Sequence, residues 1–411
     1  MLRIRFWQKV LAALLVVGIL PIALVSVLSI QGTRGDLTRL GVTNIQQRST
    51  STANAIDAYL ESRLGDIILV GKLPDIVRFG LNLKDPNAKQ AARIALAAAA
   101  ARSPEYESVA VVDPDGNIVA ASIQSDEGTS VKFREYFLNA MKGANYISDP
   151  SYSVITNRPA LFFSAPVVDG GRVLAVVRTR VNLAAIWDIV EGDLGSVGTG
   201  AHGFLVDDYG IRLAVSETKG HRDQAESLIY KPIAPIDPDT AKKLAADKRF
   251  GQKTPDQLTI DPLPTLKTAL DKLPKGQTVS TTFAYGSDAS EQRGVVTRLS
   301  AKPWAYVLAV PLATYTKAAD DATVNAATMV IIGLVLSLLI GLMLTRSLVR
   351  PLRRLVGEAT AVSTGDVDLR VAKFDTRTGD DITREVASAF DRMLNALRFY
   401  ALADDATGGE E

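Results

Sequence analysis

The chain contains no cysteine and only two histidines, His202 and His221, among its 411 residues. That excludes a disulfide framework, a thiol nucleophile, a cysteine-ligated metal and a lipoprotein anchor cysteine. The two histidines show no metal-ligand spacing, so no metal is expected, and His202 in the GAHGF turn reads as structural. There is no excess of charge of either sign: 46 Lys and Arg stand against 45 Asp and Glu, a net charge of +1. The basic residues are spread along the chain, and nothing points to nucleic acid.

Catalytic motifs are missing too. Asp207-Asp208 ends a strand pattern and Asp320-Asp321 flanks an apolar run, so neither reads as a general acid/base pair. Gly198, Gly200 and Gly203 form a GxGxxG string, but it precedes a strand instead of following one and opening a helix, which excludes a dinucleotide loop. No catalytic residue, cofactor or metal ligand is expected.

Two long uncharged runs are present. Residues 10–30 give about 21 apolar positions and residues 322–345 about 24, each enough for the roughly 20 that cross a bilayer core. The first exceeds a secretory signal's apolar region and is expected to remain as an anchor. Arg3, Arg5 and Lys9 precede it, and Arg346, Arg350, Arg353 and Arg354 follow the second, so both flanks are expected in the cytoplasm. Residues 1–9 and 346–411 then lie inside and 31–321 outside.

The outer region begins with a helical pattern in which Leu37, Ile45, Ile56, Tyr59, Leu60, Leu64, Ile67 and Ile68 recur at three- and four-residue spacings. Ala91–Ala101 predicts a second helix. Ser108–Ser122 reads as two strands around Pro114-Asp115-Gly116, and Ala160–Val168 with Arg172–Val181 as another hairpin. An amphipathic helix and a tyrosine-bearing loop (residues 132–153) lie between them. Residues 198–217 repeat the strand, Asp/Gly turn, strand pattern, and three strands near 277–312 close a second module after a polar insert between Lys231 and Pro274. Helices and antiparallel strands in this order predict α+β modules.

Beyond Arg346 the apolar residues Leu352, Leu355, Ala359 and Val362 trace a coiled-coil seam, continued by Ile382, Val386, Ala389, Met393, Ala396 and Tyr400. Pro351 opens the first helix, Gly365-Asp366 ends it, and Asp380-Asp381 starts the second. Two such helices cannot bury their seams alone, so a homodimeric parallel four-helix bundle is expected. Residues 401–411 are polar and acidic and are expected to be disordered.

The elements VAVVDPDGNIVAAS, FREYF, PALFFSAPV with GGRVLAVV, and GTGAHGFLVDDYG resemble, in this order between two membrane segments, a double Cache domain. The proline, GD and GDDI…AFDRM elements resemble a HAMP domain (residues 346–400), with Thr383 where a glycine is common. The resemblance implies a bacterial inner-membrane sensory receptor, as among chemoreceptors and sensor histidine kinases. It would have a PAS-like α+β double Cache sensor, with a membrane-distal module at about 73–190 and a membrane-proximal one at about 191–312. It would bind a small-molecule ligand and signal through HAMP to a cytoplasmic output partner such as a kinase or chemotaxis protein. No output domain follows, so an input half of a truncated receptor, and a non-signalling structural envelope protein, stay open as alternatives.

In amino-acid-binding Cache domains an arginine, followed by aromatic residues, grips the ligand carboxylate. The positions matching that motif here are Arg134, Tyr136 and Phe137, with Tyr152 and its neighbour Tyr146 in the following loop. Where such domains carry an aspartate for the ligand's amino group this chain has Arg180, on the strand face of Arg178. Two arginines in one pocket would favour a carboxylate ligand over an amino acid.

Overall fold

The computed structural model describes residues 12, 13, 16, 20–222, 228–286, 289–364 and 381–407. The chain divides into two units, one of residues 36–317 and one formed by residues 1–35 with 318–411.

The first unit is built on α1 (Leu20–Gly71), the helix predicted from the apolar spacing. Ile45, Ile56, Leu60 and Ile67 are buried from solvent. Beyond it α2 (Pro74–Leu81) and α3 (Pro86–Ala100) complete a helical layer. The start of α3 is fixed by Pro86 and by the Asp85 carboxylate, which accepts from the Asn87 and Ala88 N–H groups.

A first module follows. Strands β1 (Tyr106–Val112), β2 (Ile118–Ala121), β3 (Tyr146–Ile147), β4 (Ser151–Tyr152), β5 (Pro159–Asp169) and β6 (Arg172–Val181) form an antiparallel sheet in the order β2-β1-β6-β5-β3, with β4 also on β5. The turn from β1 to β2 needs Gly116 at φ +87°, where a Cβ would strike the Lys132 backbone. Helix α4 (Glu135–Met141) crosses one face.

After α5 (Ala184–Glu191) a second module repeats the plan with β7 (His202–Val206), β8 (Arg212–Val215), β9 (Thr278–Tyr285), β10 (Ser290–Arg298) and β11 (Ala305–Pro311), ordered β8-β7-β11-β10-β9. The insert before β9 carries α6 (Pro238–Ala246) and α7 (Pro264–Lys272). One face of each sheet packs on the helical layer, so Val109, Val111 and Val177 share a core with Leu205, Val295 and Tyr306. Ser49 Oγ lies 2.8 Å from Thr297 Oγ1 in the second module, and Tyr59 Oη donates to Glu105 at the edge of the first. One helix thus supports both sheets.

In the other unit α8 (Leu312–Leu344) carries the apolar stretch, and Thr323–Ser347 is the helical segment long and apolar enough to cross a membrane among the described residues. Of the amino-terminal run, residues 12, 13, 16 and 20–30 are described, the last eleven as the start of α1. A π-helical turn at Thr345–Val349 leads into α9 (Arg350–Ser363), and α10 (Asp381–Thr407) is the last helix. Pro351 stands directly after the π-helical turn in an unbroken helical run, so its missing N–H coincides with the place where the backbone ladder already changes register. Gly365 lies outside the described residues, as do the side chains of Leu352, Val362, Asp381 and Ile382.

Leu355, with Ala359, packs against Val386, Ala387, Phe390 and Leu394 of α10. Met393, placed on the seam from the sequence, is 54% exposed and stands beside this contact, not in it. The helix also runs on to Thr407, into the stretch expected to be disordered. Residues 401–407 (ALADDAT) begin with strong helix formers that sustain it.

Candidate functional site

The face of the first sheet turned away from the helical layer begins as an apolar floor of Ala110, Val112, Ala160, Phe162 and Val176. Tyr136 of α4 lies on it, stacked on Phe162 at 4.9 Å between ring centroids. Along β6 the same face continues with Arg178 and Arg180. Both are buried, and both meet the buried carboxylate of Asp126, at 3.2 and 3.0 Å. Ser108 donates a third hydrogen bond to that carboxylate at 2.6 Å, and Glu107 accepts from Arg180 at 3.0 Å. Arg180 therefore belongs to an internal ion cluster, whereas the sequence reading placed it as a cation toward a ligand. Burial pushes the Arg178 guanidinium below its ordinary value, with its neighbour Arg180 acting in the same direction.

Arg134 precedes α4 and is 1% exposed. Its Nη2 donates to the Tyr152 carbonyl at 2.6 Å, and its Nη1 to the Asp247 carbonyl at 2.6 Å. The Asp247 carboxylate lies 3.4 Å from Nη1 and accepts from the Glu135 N–H at 3.3 Å. Asp247 comes from the insert of the second module, which places it against the first. Burial pushes its carboxyl above the usual range, although Arg134 opposes this.

Beside this contact is a narrow, mostly enclosed polar cleft between the modules, lined among others by Tyr136, Ser148, Asp149, Tyr209, Lys243 and Asp247. It has room for about one or two water molecules. Its far wall is Arg249, which is 2% exposed and pairs with Asp149 of the first module at 3.3 Å and with Asp207 of the second. Asp149 also accepts from Lys302 and from Trp304 Nε1 at 2.9 and 2.8 Å. Burial pushes the Asp149 carboxyl up, but Arg249 and Lys302 outweigh it and hold it at about 2. Burial pushes Asp207 up to about 6 despite Arg249 and the Ile211 N–H. Both stay ionised at neutral pH.

The matching face of the second sheet is filled instead. Phe204, Val206, Phe283, Val296 and Val307 meet Ile233, Leu263, Leu266 and Leu270 of the insert. At its edge His202 stacks on Tyr285 at 4.3 Å, and the Arg212 guanidinium covers Phe204 and Tyr285 at 5.1 and 5.3 Å. Burial lowers the His202 pKa, so the ring is neutral and structural. It sits at the start of β7, not in a turn.

Of the six side chains expected at a ligand site, Tyr136 lines the cleft and Arg134 lies behind it. Tyr146 stands at its border, its hydroxyl donating to Glu135 at 2.9 Å. Tyr152 presents its backbone to Arg134 while its ring stacks toward Tyr230 at 5.8 Å. Phe137 is buried in the apolar floor. Asp247 and Arg249 were not anticipated. The one local signal was the charged DKR triplet between Leu244 and Phe250, the two residues that anchor it in the core with Ile211 and Tyr230.

A Cache domain profile matches residues 39–319, and a HAMP domain profile matches residues 343–399. No curated protein matches the chain. Among solved structures, the sensor domain of the V. cholerae histidine kinase DctB superposes with a TM-score of 0.53 at 13% identity, covering 66% of this chain and 96% of that one. The sensory domain of the Campylobacter jejuni chemoreceptor Tlp3, with isoleucine bound, gives a TM-score of 0.47 at 12% identity, covering 69% and 98%. The ligand-binding domain of the Pseudomonas fluorescens chemoreceptor CtaA, in complex with L-isoleucine, gives 0.45 at 15%, covering 69% and 98%.

Proposed function

This chain belongs to the Cache domain family and continues into a HAMP domain, and on that premise we propose that it is a two-pass receptor of the bacterial inner membrane. Both termini lie in the cytoplasm and residues 31–321 outside. The observation that carries the reading is continuity: β11 of the second module passes at Leu312 into α8, which with the π-helical turn after it holds the apolar segment 323–347 and leads to the HAMP helices. A ligand that prefers one arrangement of the sensor then biases the helices below it by its differential affinity, with no catalysis required.

The ligand site is the first module's side of the cleft between the modules, with Arg134 as the cation for a ligand carboxylate and Tyr136, Tyr146 and Tyr152 around it. Phe137 supports this wall from the core. The preference for a small carboxylate rests on Arg134 alone, since Arg180 is neutralised by Asp126. The HAMP helices work as a homodimer. Met393, 54% exposed, is an apolar side chain on α10 that a second chain would cover. The output is a partner protein of the kinase or chemotaxis type.

Calorimetry of the whole chain in nanodiscs, against a panel of mono- and dicarboxylates and amino acids, tests the site. Arg134→Ala should abolish whatever binding is found; a ligand bound equally well by that variant would refute the assignment. The cysteine-free background makes the dimer testable too. Met393→Cys should crosslink between chains and Arg384→Cys should not.

A further inference from the structure

We propose that the insert of the second module is a built-in occupant of the first module's ligand site, with the Asp247 carboxylate standing where a ligand carboxylate must bind. This rests on Arg134 being the carboxylate anchor. A ligand then has to displace the Asp247 tip, and occupancy is reported directly to the second module that holds it.

The anchor is already a complete carboxylate cradle. Guanidinium Nη1 of Arg134 and the backbone N–H of Glu135 converge on the two oxygens of Asp247. Among the described residues Asp247 is the carboxylate that Arg134 meets as an ion pair. Yet both contacts are long, 3.4 and 3.3 Å, well beyond the 2.7–2.9 Å typical of a charge-assisted bond. The shorter bonds of the guanidinium, both 2.6 Å, go to neutral carbonyls. A buried cation firmly placed by carbonyls, with its carboxylate partner this distant, is poised to accept a better-placed anion. Burial also raises the Asp247 pKa, as expected for a carboxylate incompletely compensated where it sits.

The segment is shaped to deliver this tip. Leu244 and Phe250 fix its two ends in the core with Ile211, Ile229 and Tyr230. Between them Lys248 adopts a left-handed conformation at φ 49°, and Gly251, just after Phe250, does so at φ 66°. A Cβ on Gly251 would stand 3.1 Å from the Tyr152 ring, so the turn is seated directly on the first module. The Tyr152 N–H donates to the Arg249 carbonyl at 2.9 Å, and Lys243 pairs with Glu135 at 3.3 Å. With the tip in place the cleft has room for about a water or two, too little for a metabolite.

The test uses the whole chain in nanodiscs, with sodium acetate as the probe, titrated against chloride at constant ionic strength and read by thermal unfolding. Asp247→Ala removes the internal carboxylate and leaves Arg134 in a carboxylate-shaped vacancy. Acetate should stabilise this variant with a midpoint at least about tenfold below that of the wild type, as removal of a competing state requires. Arg134→Ala/Asp247→Ala should show no acetate response. Asp247→Asn, which keeps the shape and drops the charge, provides the same reading at several-fold if the alanine variant does not fold. Equal midpoints for wild type and Asp247→Ala, both abolished by Arg134→Ala, would overturn the occupant while leaving Arg134 as anchor. No acetate response in either Asp247 variant, or a response that survives loss of Arg134, would overturn it as well, the latter together with the anchor.

Discussion

The two modules share a plan and differ in what they put on the same face. In the first, the sheet's outer face carries Arg178 and Arg180 with Asp126 over it, and beside them Arg134 at a cleft. In the second, that face is closed by Phe204, Val307, Leu266 and Leu270, with His202 and Tyr285 stacked at its edge. Burying charge is costly and is tolerated where every charge is matched, whereas apolar packing stabilises directly. The first face retains matched polar groups beside a cleft; the second is a packed apolar block. Arg249 joins them by holding a carboxylate from each.

The strongest way to break this comparison is to remove the joint. Arg249→Met should cost about 3–5 kcal/mol, because Asp207 and Asp149 are left buried without their shared cation. Urea unfolding of the whole chain measures it, and a loss under about 1 kcal/mol would show that the modules do not depend on this link. Next comes the packed face. Leu266→Ala should cost about 2–5 kcal/mol at its fully buried position. A small effect there would mean that the second face is not a core.

The joint also predicts a pH profile. Asp149, held at about 2 in the folded state against about 3.9 unfolded, contributes stability above pH 4 that is lost as pH falls through 4 to 2. The amount is about 2 kcal/mol. Asp207, raised to about 6, acts in the opposite sense and favours folding as pH drops from 7 toward 4. Urea midpoints should therefore hold or rise from pH 7 to 5 and fall below 4; a steady fall from pH 7 would contradict the Asp207 assignment. The smallest effect sharpens the contrast most. Replacing the whole cluster by Asp126→Leu, Arg178→Met and Arg180→Met should change stability by under about 1 kcal/mol, since an intact buried ion cluster is worth little against apolar groups of its size. Asp126→Leu alone, which leaves the buried Arg178 guanidinium without a carboxylate and Arg180 with Glu107 only, should be strongly destabilising by the same denaturation curves.

By itself the sequence determined what is local. Apolar spacing set α1, since a helix places Ile45, Ile56, Leu60 and Ile67 on one face. Turn chemistry at Pro114-Asp115-Gly116 and Asp169-Gly170-Gly171 set the hairpins, because few other residues adopt those backbone angles. The uncharged run before Arg346 set the membrane segment. Arg134 entered only through the resemblance to amino-acid-binding Cache domains, at the position before Tyr136 and Phe137.

What the tertiary structure decided was which charges meet. Asp126 and Arg180 are 54 residues apart, Arg134 and Asp247 113, and Arg249 and Asp149 100, and nothing in their spacing pairs them. A charged side chain in sequence looks the same whether it faces water, a ligand or a partner. Packing within the first module turns Arg180 into an internal ion pair, and packing of the insert against that module puts Asp247 in front of Arg134, because burial forces each charge to find its counter-ion across the fold.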